Sequence, residues 1–547
     1  MIYVVDYHKL ANLLFPDLKY TIHDYEKIYP KRKLDNSAKV TRIAPSPTGF
    51  IHLGNLFSAI INERLARKSG GIFFLRIEDT DNKREVPGAV DKIKSTLKYF
   101  GISFDEGPIG KGEYGPYCQR ERVAVYHAFA KALVEKGFAY PCFCTESQLS
   151  EMREKQRNQK LNLGYYGNSA IHRNSDFGDI EQKIANKEPY VLRFRSGGDV
   201  KNIIKIEDAI RGEITLQENY QDFILLKSDG IPTYHFAHVV DDHLMGTTHV
   251  VRGEEWLPSL PMHYQLFEAF EWQLPVYCHT AQLMKFDGSS KRKLSKRKDP
   301  EIALEYYISE GYDPSAVWEY LLTILNSNFE EWRILNPDST IGDFPFSTEK
   351  LSKSGALFDL KKLNDISKNI ISKMSVKEVY NNIATWAGKY DMEFAGIFTL
   401  NPSYSVAALT LCTETPRKDI MSWKQAKRYL RFFYDETFKI EDDFPVAVNI
   451  SDRKLFFNKF LETYNYSDDK STWFNKIVNI AVEMGYAGTV KEYKNNPHQY
   501  KGHIGDINGV LRVCIVGRLN SPDLWSICKI IGDAKVRNRV LSQTFSN

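Results

Sequence analysis

A chain of 547 residues is too long for a single hydrophobic core, so three or more domains are the default. Its 43% hydrophobic and 13% aromatic content excludes wholesale disorder, and no run reaches the ~18 apolar residues of a membrane span. Lys and Arg number 73 against 69 Asp and Glu, a net charge of only +4, so any polyanion site has to come from local clusters.

The N-terminus carries Asp6, Asp17, Asp24 and Glu26 and lacks both an apolar secretory core and the Arg-rich character of a transit peptide. A cytoplasmic location is expected, and seven thinly spread cysteines fit a reducing compartment. Residues 1–37 form an extension with helical spacing over 8–14 and 20–28 and a basic turn at 30–33, expected to pack on the body.

From Val40 the pattern alternates. The apolar run 40–43 predicts a strand, and Pro45 and Pro47 then end its ladder. Leu53, Leu56, Phe57, Ile60, Ile61 and Leu65 share one helical face, and 71–77 (GIFFLRI) reads as a strand covered on both sides. Together they predict a right-handed βαβ unit, followed by a helix over 88–100. The fold class is therefore α/β, with a Rossmann-type parallel sheet. In such a sheet ligands bind beyond the carboxyl ends of the strands, which puts 44–46 and 78–81 on one rim. His52, Gly54 and Asn55 open the first helix, where unpaired N–H groups suit an anion. His52 adds a ring donor, and Gly54 allows close approach. The plain alternative is a Pro-rich turn leading into an amphipathic helix. The GKGEYG string at 110–115 lacks a βαβ context and is read as a loop.

Residues 116–220 interrupt the alternation with helices near 121–136 and 146–160 and strands near 190–194 and 213–216. The sheet is expected to resume at 222–227, then 248–251, a helix over 258–272 and a strand at 276–279. Gly288, Ser289 and Ser290 predict a mobile loop leading into 291–298 (KRKLSKRK), six cations in eight residues that can follow a phosphate's developing charge. After Pro300 the pattern is helical to the end. The chain divides into an extension (1–37), a first half of the sheet domain (38–115), an inserted domain (116–220), the second half (221–285), a basic loop with helices (286–365) and an all-α C-terminal half (366–547).

Arg42-x-Ala-Pro-Ser-Pro-Thr-Gly49 followed by His52-Leu-Gly-Asn55 resembles the first signature of class I aminoacyl-tRNA synthetases in its glutamate/glutamine branch, with Asn55 where the nominal motif ends in His. Lys293-Leu-Ser-Lys-Arg297 is similar to the second signature, with Leu for Met and Arg for the final Ser. The KMSVK string at 373–377 opens a helix in the helical half and is read as chance. FLRIEDTD (74–81) and the stretch 229–256 resemble bacterial glutamyl-tRNA synthetases, the likeness running from about 40 to 360.

The resemblance implies ATP-dependent ligation of L-glutamate to the 3′ end of tRNA(Glu) through a glutamyl-adenylate. It implies Mg²⁺ as cofactor, a monomer, and tRNA(Gln) as a second candidate acceptor. The inserted domain would bind the acceptor end, 286–365 the stem and 366–547 the anticodon, with Arg417 as candidate reader. Catalytic roles fall on His52, Asn55, Lys293 and Lys296, and ATP contacts on His52, Gly54, Asn55, Trp256 and Lys296. Arg42, Ala44, Ser46, Glu78, Tyr234 and Arg252 would line the glutamate pocket. Charge supports this set, because a diacid with one ammonium needs two cations and one anion. The competing readings are an Arg42–Glu78 structural ion pair, a core Tyr234 and a packing Trp256; His238 is left unassigned.

The mixture of Arg417, Lys418, Lys424, Lys427, Arg428 and Arg431 with Trp423, Tyr429 and Phe432 suits RNA phosphates and bases, with an amphipathic helix as competitor. Cys142 and Cys144, with His172 and Ser169, offer at most three N or S donors where a structural zinc site takes four, so no zinc is expected. A glutaminyl-tRNA synthetase, expected to end in a barrel, and a non-catalytic RNA-binding relative are the rivals.

Overall fold

The computed structural model describes residues 6–47, 51–81, 86–108, 112–295, 297–411 and 418–545. It contains two compact units, 1–306 with 318–359, and 307–317 with 360–547.

In the first unit, α1 (Tyr7–Leu14) and α2 (Ile22–Ile28) are capped by Asp6 and Thr21, whose side-chain oxygens accept from the Lys9 and Asp24 N–H groups. β1 (Val40–Ile43), buried throughout, runs parallel to β2 (Ile72–Leu75). α3 (Leu53–Lys68) makes the crossover and buries the face its spacing predicts. α4 (Ala89–Tyr99) and α5 (Val123–Glu135) follow, and α1 and α2 pack on α5, so the extension lies on the body as expected.

The chain continues through β3 (Ala139–Cys142), α6 (Glu146–Asn158), α7 (Phe177–Ala185), β4 (Val191–Phe194) and the antiparallel hairpin β5 (Ile203–Asp208) and β6 (Gly212–Gln217). β7 (Ile224–Leu226), α8 (Tyr234–Leu244), β8 (His249–Gly253), α9 (Leu260–Ala269) and β9 (Val276–Thr280) come next. β7 departs from expectation: it pairs antiparallel with β4 in a β3–β4–β7 sheet instead of resuming the parallel one. The β5–β6 hairpin joins the parallel pair β8–β9 in the order β6–β5–β9–β8, with Asp208 opposite Tyr277. An apolar strand pattern reports burial and says nothing of the partner's direction. The Thr248 N–H donates to the Val40 carbonyl at 3.0 Å, which sets the start of β8 beside the start of β1.

A second departure follows β9. The expected mobile loop is a hairpin, β10 (Leu283–Asp287) antiparallel to β11 (Ser290–Lys293), turning at Gly288 with φ +62°. β12 (Ala356–Leu357) adds in parallel to β10.

The second unit has only helices among its described elements, as expected. Its core gathers Trp386, Phe394, Phe433, Phe456, Phe460 and Val510. Among the described residues, no helix is long and apolar enough to cross a membrane.

In the first unit the extension is tied to the body through charge. Buried Arg122 donates from Nε to Asp241 Oδ1 at 2.7 Å, and from Nη1 to the Tyr29 hydroxyl and the Tyr114 carbonyl, both at 3.3 Å. Gln119 Nε2 and the Tyr126 hydroxyl complete the Asp241 carboxylate at 3.0 and 2.8 Å. Arg122→Met leaves that carboxylate without its main cation, so the unfolding free energy of this unit should fall by about 3–5 kcal/mol. Denaturant unfolding checks it; a curve superimposable on the parent's would show that this charge pair does not anchor the extension.

Candidate active site

A cleft of roughly 1550 Å³ opens where β1 and β8 end and α3 begins. A single small-ligand site takes about 300–1,000 Å³, so this one has room for two. Arg42, Ala44, Ser46, His52, Gly54, Asn55, Glu78, Tyr234, Arg252, Trp256 and Lys293 all line it. Lys296 and Arg417, also singled out by sequence, lie outside the described residues.

At the helix start, Asn55 Oδ1 accepts from the His52 backbone N–H at 3.0 Å, a cap that occupies its amide oxygen. Gly54 has a reason the sequence did not reveal: a Cβ there would stand 3.0 Å from His52 Nδ1 and 3.1 Å from Cε1. The imidazole lies in the space a side chain would fill.

The basic run divides its work. Lys293 closes β11 at the cleft, while the Arg292 fork grips Asp299 at 2.6 and 2.8 Å and its Nε donates to Asp287 at 2.8 Å. Asp299 also accepts from the Ser295 N–H at 2.9 Å, and the Arg292 hydrogen bonds hold its carboxyl well below the usual carboxylate range. Arg292 is thus a brace for the turn.

The pocket's charges are arranged differently from the simple ion pair. Arg42 donates from Nε and Nη2 to the two oxygens of Asp242 at 2.9 and 3.0 Å. Arg76, fully buried, donates to Asp242 at 2.7 Å and to Glu78 Oε1 at 3.1 Å. The competing Arg42–Glu78 pair is therefore replaced by two others, through Arg76 and Asp242, which sequence reasoning missed. Their signal was present: an Arg in GIFFLRI and two acids in FAHVVDDHL sit in apolar runs, where charges stay only if paired. Burial opposes the ionised Asp242, but Arg42 and Arg76 hold its carboxyl far below the ordinary range. Glu78 goes the other way: burial outweighs Arg76 and Arg42 and pushes it up to about 7.

Arg252, 6% exposed, is held by histidines, with no acid paired to it among the described residues. Its Nε donates to His279 Nε2 at 2.9 Å and its Nη1 meets His263 Nδ1 at 3.1 Å. The Tyr234 ring stands 4.5 Å from Trp256 and is stacked 5.4 Å from His238. His238 meets Arg42 Nη2 at 3.3 Å through Nδ1.

Elsewhere in this unit, Cys142, Cys144 and His172 place their ligand atoms within 4.8 Å of one another. The Tyr165 hydroxyl lies 3.3 and 3.5 Å from the two sulfurs. The count of three N or S donors stands, with a phenol oxygen as a fourth donor that a search for Cys and His does not find.

In the second unit part of the basic and aromatic set has a structural role. Trp423 and Phe432 are 4% and 3% exposed and belong to the core, so they offer no face to a base. Lys424 pairs with Glu310 at 2.5 Å, Lys427 with Asp391, and Arg431 with Glu441. The helix Trp423–Leu430 is the amphipathic competitor named from sequence.

Comparison with known proteins bears on the whole chain. The family described as "tRNA synthetases class I (E and Q), catalytic domain" matches residues 39–365. A glutamate–tRNA ligase of Acetivibrio thermocellus is 53% identical over 98% of this chain and 99% of its own length. One of Clostridium perfringens strain 13 is 47% identical over 98% of this chain and all of its own. The crystal structure of a glutamate tRNA ligase of Elizabethkingia meningosepticum, in complex with its amino acid, superposes with a TM-score of 0.73 at 26% identity, over 92% of this chain and 99% of that one.

The cleft electrostatics can be tested without substrate. Carboxyl-carbon NMR of the protein labelled at glutamate should show Glu78 titrating near pH 7, and Arg76→Met should move that titration higher. A Glu78 that titrates with the surface glutamates would overturn the burial argument.

Proposed function

We propose how this cleft works from the premise that the chain belongs to the class I (E and Q) tRNA synthetases and, like its full-length relatives, is a glutamate–tRNA ligase, charging tRNA with L-glutamate at the expense of ATP. The reading is carried by one observation: His52, Gly54, Asn55 and Lys293, from the two signatures, line the same cleft as Arg42, Glu78 and Arg252.

Glu78 takes the substrate ammonium. Arg252 takes the side-chain carboxylate, because no carboxylate partner among the described residues neutralises it, whereas Arg42 is already balanced by Asp242. Arg42, with Ala44 and Ser46, orients the α-carboxylate, and Tyr234 walls the pocket. Trp256, 36% exposed, offers the adenine a face. The ATP phosphates lie along the start of α3, His52 and Gly54, with Asn55 holding the turn and Lys293 on the cleft lining; the second signature assigns Lys296 to the same phosphates. An α-carboxylate oxygen attacks the α-phosphorus in line, the bond to the β-phosphate oxygen breaks, and pyrophosphate leaves with its charge met by His52 and the lysines. The terminal ribose hydroxyl of tRNA then takes the glutamyl group and AMP departs.

Among the described residues, the one group of three metal-ligating side chains is the soft Cys142–Cys144–His172 set, and Glu78 is already bound by Arg76. Magnesium entering with ATP would be held mainly by phosphate oxygens and would supply neutralisation of the charge on the leaving pyrophosphate. The inserted segment carries the acceptor end, whose arrival completes the site, and the helical unit the anticodon. We propose a cytoplasmic monomer acting on tRNA(Glu), with tRNA(Gln) as the candidate alternative acceptor.

ATP–pyrophosphate exchange is expected with glutamate and tRNA together. Silence from folded protein would favour the RNA-binding rival, and charging tRNA(Glu) and tRNA(Gln) side by side fixes the acceptor. The pH dependence has a defined sign. Only ionised Glu78 pairs with the ammonium, and that pairing lowers its pKa, so binding releases a proton. Glutamate KM should rise as pH falls through about 7, approaching about tenfold per unit. Glu78→Gln should raise KM and flatten this profile; a flat profile in the parent enzyme would remove Glu78 from the ammonium site.

A further inference from the structure

We propose that His279 and His263 are positioning residues for Arg252: two neutral imidazoles that hold its Nε and Nη1, fixing the guanidinium before glutamate arrives and leaving its charge for the substrate. The proposal rests on the reading of Arg252 as the carboxylate anchor.

The network's proton positions follow from one fact: a guanidinium only donates. His279 Nε2 must therefore be a bare acceptor, which puts the proton on Nδ1, where it donates to Asp208 Oδ2 at 2.7 Å. Asp208 is itself fixed at the end of β5, its other oxygen accepting from the Ile210 and Arg211 N–H groups at 2.9 Å each. His263 Nδ1 must likewise be bare, so its Nε2 carries the proton and donates to His235 Nδ1 at 3.0 Å. Every partner is set from outside the cleft, by β5 on one side and α8 on the other. Parallel pairing supplies the alignment: Arg252 and His279 are register partners on β8 and β9, which turns both side chains to one face.

Three further observations fit. His263 and His279 are fully buried, and burial, the largest cause, keeps both imidazoles below their ordinary pKa and so uncharged. The guanidinium carbon lies 4.9 Å over the Tyr277 ring, which supports its face. Arg252 Nη2 is buried and has no hydrogen-bond partner among the described residues, although Arg252 lines the cleft. A buried donor left open in an otherwise satisfied group fits a ligand acceptor. The choice of imidazole has a reason. A carboxylate in either place would orient Arg252 equally well but cancel its charge, as Asp242 does for Arg42. A neutral acceptor orients and leaves the positive charge uncompensated, which favours a carboxylate over an amide at the end of the substrate side chain.

The test is tRNA-charging kinetics on full-length His279→Leu, His263→Leu, the two corresponding Gln variants and Arg252→Ala, each checked for parental melting. Either Leu variant should raise glutamate KM about tenfold or more with ATP KM held within about twofold. The Gln variants, which keep an acceptor oxygen, should recover most of the loss. If Arg252→Ala raises glutamate KM but both Leu variants match the parent, the positioning role is wrong and the pocket reading stands. If Arg252→Ala itself leaves glutamate KM unchanged, the pocket reading fails. Should the Leu variants not fold, imidazole nitrogen NMR of the parent decides. At neutral pH His279 should be protonated at Nδ1 alone and His263 at Nε2 alone, and an imidazolium there or the opposite tautomers would overturn the proposal.

Discussion

The structure of the catalytic unit depends on the carboxylate of Asp242. It sits on α8, fully buried, and receives Arg42 from β1, Arg76 beyond β2 and the Thr247 hydroxyl. Each guanidinium would cost several kcal/mol to bury alone, so neither strand end can move without leaving a bare charge. The neighbouring Asp241 extends the lattice to Arg122 and, through it, to Tyr29 of the extension. Three arginines and the acids Asp241, Asp242 and Glu78 balance formally, and the balance fixes the β1 and β2 ends that form the rim. The extension, which sequence left without a role, is one of the walls that keep this lattice dry.

Against that fixed rim, the two arginines at the cleft are prepared in opposite ways. Arg42 is oriented by an anion and is nearly neutral in sum, suited to guiding a group that must stay reactive. Arg252 is oriented by His279 and His263 and keeps its full charge, suited to gripping a carboxylate that takes no part in the reaction. Glu78 lies between these regimes, its carboxyl raised to about 7 because burial outweighs two nearby cations. On the proposed reading, binding of an ammonium would restore the charge that burial suppresses, so that the ligand completes the pocket electrostatically.

Much of this was legible in one dimension. Strands over 40–43 and 72–75 and the helix between them follow from continuous apolar runs and a 3.6-residue face, features that depend only on local burial. The turn from the first strand into the helix at Leu53 was legible because Pro45, Pro47 and Gly54 leave few alternatives. What escaped was relational. The partner of β7 could not be read because strand direction is decided by the neighbour. Trp423 and Phe432 read as stacking groups because they lie among cations, yet Trp423, Ala426 and Leu430, spaced three and four apart, are the buried stripe of their helix. Arg76, Asp241 and Asp242 were visible as charges in apolar surroundings, but which charge meets which is a fact of the fold. The histidines behind Arg252 gave no signal at all. His279 comes from β9 and His263 from α9, and no spacing along the chain marks two such residues as partners of a side chain on β8.

The basic hairpin shows why composition alone misjudges such a loop. Read as a run of cations after Gly288-Ser289-Ser290, it looks like a flexible collection of equal charges. In the fold, Arg292 is used up between Asp287 and Asp299, and Asp299 in turn takes the Ser295 N–H. That brace removes one cation from the run and ties the end of β11 to Asp299. A lysine such as Lys293 then needs to search only its own side-chain rotamers and not the backbone's, which lowers the entropy lost when it closes on a phosphate. Sacrificing one charge to orient another is the same physical choice that the rim makes with Asp242 and Arg42.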